Sequence, residues 1–272
     1  MAKKRLDVLL VERGLAESRT RAQAYVMEGR VRVGDRVFAK PGDTVDESTA
    51  LTVDQPETEY VGRGGAKLAH ALDRFGLDPT GLVALDIGAS TGGFTDVLLR
   101  RGARRVYAVD VGYGELAWVL REDPRVVALE RTNIRYLDAL PERPELATID
   151  VSFISLDKVL PAAWRLLAPG GRVVALVKPQ FEAGRGLVGK GGIVRDPATH
   201  RAVLERVLSA AADAGWRLGG LVASPIRGRS GNREFLALWS KGLDAPALDA
   251  ASALDAASAL DAASAIDAAL GE

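Results

Sequence analysis

The chain has no cysteine and only two histidines and two methionines among its 272 residues. Without thiols there are no disulfides and no thiolate metal sites. Two histidines, His70 and His200, leave little material for a zinc site or a Ser–His–Asp arrangement, so no metal is expected. No segment reaches the ~20 unbroken apolar residues that a membrane helix needs, and the N-terminus has no secretory apolar stretch. A cytoplasmic protein without a membrane partner is the expectation. Net charge is also absent, but the zero hides an asymmetry. Residues 1–40 carry ten Lys/Arg against five Asp/Glu, whereas residues 243–272 carry six acids and no base. A basic front end is what a polyanionic partner requires.

What is present is most informative at Leu85-Asp86-Ile87-Gly88-Ala89-Ser90-Thr91-Gly92-Gly93-Phe94-Thr95-Asp96. The apolar run 81–85 reads as a buried parallel strand, with Asp86 at its carboxyl end, a Gly-rich turn, and a helix starting near Gly92. Ligands of open α/β sheets sit at such strand ends. The spacing is neither G-x-G-x-x-G nor a P-loop. It resembles the first motif of S-adenosylmethionine (SAM)-dependent methyltransferases. A second apolar strand, Val106 to Val109, ends in Asp110, one helix and one strand further on. A carboxylate there can accept both hydroxyls of a ribose; capping of strand ends is the plainer role for both aspartates.

Four regions follow from composition and periodicity: 1–54, a linker at 55–61, 62–242, and a low-complexity tail at 243–272. The first reads as two short helices, Arg5–Arg13 and Arg19–Glu28, followed by short strands at 31–33, 36–38 and 50–53. From 62 onward helices (near 64–76, 94–101, 114–121, 156–167, 197–214) alternate with strands (near 82–86, 105–110, 126–130, 146–151, 172–177), and two last strands come at 217–222 and 235–239. This alternation predicts an α/β fold, a mostly parallel seven-stranded sheet with helices on both faces. In the tail, Ala-Leu-Asp-Ala-Ala-Ser recurs every six residues. That period makes no single helical stripe, so a solvated, disordered or weakly helical appendage is expected.

Residues 5–45 resemble the S-four-type RNA-binding domain, a small α+β module. The resemblance implies phosphate contacts by Arg5, Arg19, Arg21, Arg30, Arg32, Arg36 and Lys40, to which Arg63 is added; arginines also suit any solvated face. Polar residues stand at strand ends further along: Asp150 after the fourth strand, Lys178 after the fifth and Glu234 before the last, with Lys67 on the preceding helix. Charges closing apolar strands are costly unless paired. The order Lys–Asp–Lys–Glu resembles the FtsJ class of RNA 2′-O-ribose methyltransferases. Residues 5–241 look like the TlyA family within it, through "GRGGAKL", "DIGASTGGFTDVLL", "VDVGYGELAW", "ERTNIR", "DVSFISL", "LVKPQFE" and "SGNREF". Val151 stands where Leu is expected, and Glu59-Tyr60-Val61 where some relatives carry Trp.

The resemblance implies a Rossmann-like methyltransferase acting on ribosomal RNA or ribosomal subunits, with cytidine ribose as target and SAM as cofactor. Lys178 would activate the hydroxyl, Asp150 would orient Lys178 and the ribose, and Lys67 and Glu234 would hold the ribose and complete the charge network. Gly88, Ala89, Ser90 and Gly92 would line the methionine and ribose end of SAM, with Asp110 on the ribose, Thr132 and Asn133 near the adenine, and Asp86 reaching the ammonium directly or through water. Phe153 and Phe181 suit either base stacking or the core. The 184–192 loop, with Lys190 and Arg195 nearby, suits a flexible linker or an RNA clamp. Base or small-molecule methylation, a non-enzymatic assembly role and the membrane damage in the family's haemolysin name are the competing readings.

Overall fold

A computed structural model describes residues 3–16, 18–27, 29–34, 36–38, 40–53, 60–228, 230–241 and 261–271. The chain divides into two units, Met1–Glu57 and Thr58–Glu272. Most of the expected linker, 54–59, lies outside the described residues.

In the first unit, β1 (Lys3–Arg5) leads into α1 (Leu6–Glu12), and α2 (Arg19–Met27) follows. The strands are β2 (Val31–Val33), β3 (Arg36–Phe38), β4 (Thr44–Asp46) and β5 (Thr52–Val53). β1 pairs with β4, and β2 lies between β3 and β5. The helical spacing of Leu6, Leu9 and Leu10 puts them against Ala22, Tyr25, Val26 and Val31 in a small core. Asp7 is buried with them. Arg5 holds its two oxygens at 3.0 and 2.9 Å, and Arg19 and Gln23 donate to it as well. These donors hold its carboxyl far below the usual range against the cost of burial. β1 and β4 were not foreseen: Lys3-Lys4-Arg5 holds no apolar residue and Thr44-Val45-Asp46 only one, whereas β2 and β3 flank a Gly-Asp turn.

The second unit runs α3 (Gly64–Phe75), β6 (Val83–Ile87), α4 (Gly93–Arg100), β7 (Arg105–Val109), α5 (Trp118–Arg121), β8 (Val126–Leu129), β9 (Leu146–Ile149), α6 (Leu160–Leu166), β10 (Arg172–Val177), α7 (Pro179–Glu182), α8 (Pro197–Asp213), β11 (Trp216–Ala223), β12 (Phe235–Lys241) and α9 (Ala262–Gly271). The seven strands order as β11-β12-β10-β9-β6-β7-β8. All neighbours are parallel except β12, which is antiparallel to both β10 and β11. One apolar cluster covers each face: Leu85, Ile87, Val173 and Trp239 belong to one, Ala84, Val106, Leu176 and Leu238 to the other. That alternation along each strand is why the runs read as buried on both sides. Two helices come out shorter than expected. Pro161 confines α6 to Leu160–Leu166, with a separate 3-10 turn at Leu156–Lys158, and α5 keeps only the last turn of 114–121.

The tail differs from expectation. Residues 242–260 lie outside the described residues, but 262–271 form α9, a helix packed on α8 and β11. Ala265, Ile266 and Ala269 are buried in the main core. Spaced i, i+1 and i+4, they make one helical face over ten residues, although the six-residue period makes none over thirty.

Candidate active site

The chain passes from β6 through β7 to β8, then returns to lay β9 on the other side of β6. The switch in direction therefore falls between β6 and β9, where α/β sheets open a crevice. Gly88 follows β6 and Asp150 follows β9. A Cβ on Gly88 would lie 2.5 Å from the Asp150 carbonyl oxygen, and its φ is 83°. Only glycine fits there.

Two ion pairs stand at this sheet edge. Lys178, directly after β10, puts Nζ 2.6 Å from Asp150 Oδ1 and donates to Ser152 Oγ at 3.0 Å. Oδ1 receives no directed hydrogen bond, so the contact is ionic. Glu234 reaches the same edge because β12 is antiparallel to β10, with Phe235 opposite Val177. Lys67 comes from the buried face of α3 and donates to Glu234 Oε2 at 2.5 Å, the two side chains being 10% and 3% exposed. Gly228 makes room for Glu234: a Cβ there would fall 2.3 Å from Oε1. All four of these residues stand out in the sequence; Gln180 does not. Gln180, two residues past Lys178, donates to Glu234 Oε1 at 3.2 Å, and its own Oε1 is buried without a partner.

Glu182 was also missed. Buried behind α7, it accepts from Ser155 Oγ at 2.5 Å and Leu156 N at 2.8 Å, and Arg206 pairs with it at 3.2 Å. It thereby ties the helix after Lys178 to the turn after Asp150. Phe153, in that turn, has φ 64° and is 91% exposed, its ring 4.9 Å from that of Phe181. Core packing does not account for Phe153. In the loop beyond α7, Gly189 pairs with Ile193, and Lys190 and Arg195 are exposed.

At the other side of β6, Asp110 Oδ2 accepts from Ser90 N at 2.8 Å and Oδ1 from Gly112 N at 2.7 Å. Ser90 Oγ donates to Glu115 at 3.0 Å. Ala89, Ser90, Asp110, Glu115, Leu116 and Glu130 line a small recess. Thr132 N bonds the Asp110 carbonyl, and Asn133 caps the following turn through Arg135 N. Gly92 is buried against Leu116 and Leu120, and Phe94 is core. Asp86 departs from the expectation that it reaches the cofactor. It is fully buried, and its oxygens accept from Thr95 at 2.7 Å and Thr148 at 3.0 Å. Burial pushes its carboxyl up to about 6, against the lowering effect of the two hydroxyls. It holds β6, α4 and β9 together from beneath the turn.

Of the basic residues, Arg5 and Arg19 are half-exposed while gripping Asp7, so their first role is to compensate that buried charge. Arg32 and Lys40 are exposed, and Arg30 partly so. Exposed Arg63 donates to the Arg227 carbonyl. The side chains of Arg21 and Arg36 are outside the described ones. Among the described residues no acidic or histidine cluster is arranged to hold a metal, and no helix is long and apolar enough to cross a membrane.

Residues 60–241 match the FtsJ-like methyltransferase family, and residues 4–51 match the S4 domain. The chain belongs to the FtsJ-like methyltransferase family. It is 54% identical over 237 residues to the "Putative rRNA methyltransferase YqxC" of Bacillus subtilis, covering 86% of this chain and 84% of that protein. Identity is 48% over 249 residues to the 16S/23S rRNA (cytidine-2′-O)-methyltransferase TlyA of Mycobacterium tuberculosis, covering 90% and 92%. The solved structure of a "Putative hemolysin from Streptococcus thermophilus" aligns with a TM-score of 0.70 at 47% identity, covering 93% and 94%. The methyl donor of FtsJ-like enzymes is SAM, and the residues around the recess suit it. Asp110 and Glu115 offer acceptors for ribose hydroxyls, and Ala89 and Leu116 offer apolar walls for an adenosine.

Proposed function

We propose that the protein methylates the 2′-hydroxyl of cytidine ribose in ribosomal RNA. The observation that carries this reading is the Lys178–Asp150 pair, whose strand end abuts the Gly88 turn. A hydroxyl-activating pair next to a donor turn is what ribose methylation needs. SAM supplies an electrophilic methyl group on a sulfonium. Asp110 would hold its ribose, Ala89 and Ser90 its flank, and Thr132 and Asn133 its adenine side.

A ribose hydroxyl is a weak nucleophile. Lys178 would orient its lone pair, and the Lys178–Asp150 pair would take up the proton as the oxygen–methyl bond forms and the sulfur–methyl bond breaks. Lys67 and Glu234 would hold the ribose in line, and much of the acceleration would come from that alignment. Exposed Phe153 beside Phe181 supports a target base taken out of its stack. The basic S4 unit would supply sequence-independent phosphate contacts.

The test is incubation with tritiated SAM and separated ribosomal subunits, mapping the label by nuclease digestion and mass spectrometry. Label on a cytidine ribose is expected. Label on a base, or none on either subunit or on naked rRNA, would sink the reading.

A further inference from the structure

Three consecutive residues just before β12 reach three different parts of the methyltransferase unit. Asn232 is buried; its Oδ1 accepts from Val194 N at 2.9 Å and its Nδ2 donates to the Gly192 carbonyl at 2.9 Å. Glu234 holds Lys67 and Gln180. Arg233, between them, points the other way, as alternation along an extended segment requires. Its Nη1 donates to the Leu270 carbonyl at 3.0 Å and its Nη2 to the Ala269 carbonyl at 2.9 Å. These belong to the last turn of α9, whose carbonyls have no partner within the helix and carry the negative end of its dipole.

α9 lies beyond residue 241, where the family match ends. It is nonetheless built into the unit. Ala265, Ile266 and Ala269 enter the main core, and Asp267 pairs with Arg201 of α8. β11, on which α9 packs, is an edge strand with β12 as its sole ladder partner among the described residues. The helix thus covers the sheet beside the strand that follows Glu234, and Arg233 connects the two.

We propose that α9 is a positioning element of the active site: by anchoring Arg233 it fixes the segment that presents Glu234 to Lys67. A guanidinium fork gripping two successive carbonyls restrains both position and rotation of its own backbone. Glu234 is the next residue. With Asn232 pinned on the other side and the Glu234 carbonyl accepting from Ser224 N at 2.9 Å, the anchored Arg233 completes the mount of the carboxylate. This inference rests on the reading of Glu234 as part of the catalytic centre. Arg233 touches no substrate; it is a positioning residue.

The experiment compares full-length Arg233→Ala, Arg233→Lys, Ile266→Asp, the Arg233→Ala/Ile266→Asp double variant and Glu234→Gln. Rates are expressed per molecule that binds S-adenosylhomocysteine, so that unfolded protein does not count. Displacing a reacting-group mount by a fraction of an ångström should lower kcat about tenfold in Arg233→Ala and in Ile266→Asp, with KM for SAM unchanged. The double variant should fall no further than the worse single one, because both act through one contact. Arg233→Lys, which keeps one donor, should recover part of the loss. If Glu234→Gln lowers kcat while Arg233→Ala and Ile266→Asp stay within twofold of the parent, α9 has no positioning role. If Glu234→Gln leaves kcat unchanged, the reading of Glu234 fails first and the inference falls with it. Equal losses in Arg233→Ala and Arg233→Lys, accompanied by a raised KM for SAM, would mark general loosening and overturn the proposal.

Discussion

The Lys67 ammonium meets the Glu234 carboxylate at 2.5 Å across 167 residues of sequence, with both side chains almost closed to solvent. Removing one partner strands the other. Lys67→Ala should cost about 3–5 kcal/mol of stability because it leaves a buried carboxylate uncompensated. The double variant Lys67→Ala/Glu234→Ala should be less destabilised than the sum of the singles. Urea denaturation of the four proteins in the cycle measures this, and additivity would refute the coupling.

Lys178 makes the one contact that the proposed chemistry cannot replace. Lys178→Ala should lower methyl transfer by about 10²–10⁴, the range for loss of a proton-transfer group. S-adenosylhomocysteine affinity, read by calorimetry, should be unchanged. Lys178→Arg keeps the charge but cannot give up a proton, so it should be no better than Ala. An active Arg variant would assign Lys178 a purely electrostatic role.

Asp86 sets a pH dependence of the opposite sign to a salt-bridged acid. Its carboxyl titrates at about 6 when folded, against about 3.9 in an unfolded chain. Between those values the folded protein binds this proton more tightly, so the contribution of Asp86 to stability is greatest below pH ~4, declines as pH rises through 6 and then levels. Asp86→Asn removes the titration. Relative to the parent it should gain about 2 kcal/mol between pH 4 and pH 7.5. Thermal or urea unfolding at the two pH values checks this; a gap that does not change with pH would show that Asp86 titrates normally.

Glu182 holds three donors from two elements. In Glu182→Ala the buried Leu156 amide and Ser155 hydroxyl lose their acceptor, costing about 1–3 kcal/mol for each group left unsatisfied. Hydrogen exchange at the Leu156 amide should accelerate, and KM for RNA should rise through loosening of the Phe153 turn. An unchanged exchange rate would mean that another group holds that turn.

Much of this architecture was legible because parallel strands buried on both faces announce themselves as apolar runs. Val83–Ile87, Arg105–Val109 and Arg172–Val177 were anticipated to within a residue or so. The residues that close those strands, Asp110, Asp150 and Lys178, stood out for the same reason, since a charge after an apolar run needs a purpose. Gln180 and Glu182 did not stand out: they follow a proline in a short helix, where polar residues are ordinary, and their partners come from 54 and 24–27 residues away. Asp86 looked like a ligand-facing acid because sequence shows the strand end but not the Thr95 and Thr148 hydroxyls that enclose it. α9 was hidden by its repeat, whose period argues against a stripe only when the whole tail is taken at once.

The close approach of Gly88 to the Asp150 carbonyl gives donor and acceptor a common wall. A turn that shifts to admit one ligand moves the backbone that serves the other. Linkage then requires that whatever factor the cofactor imposes on RNA affinity, RNA imposes on the cofactor. The two substrates would report on each other through a single backbone contact.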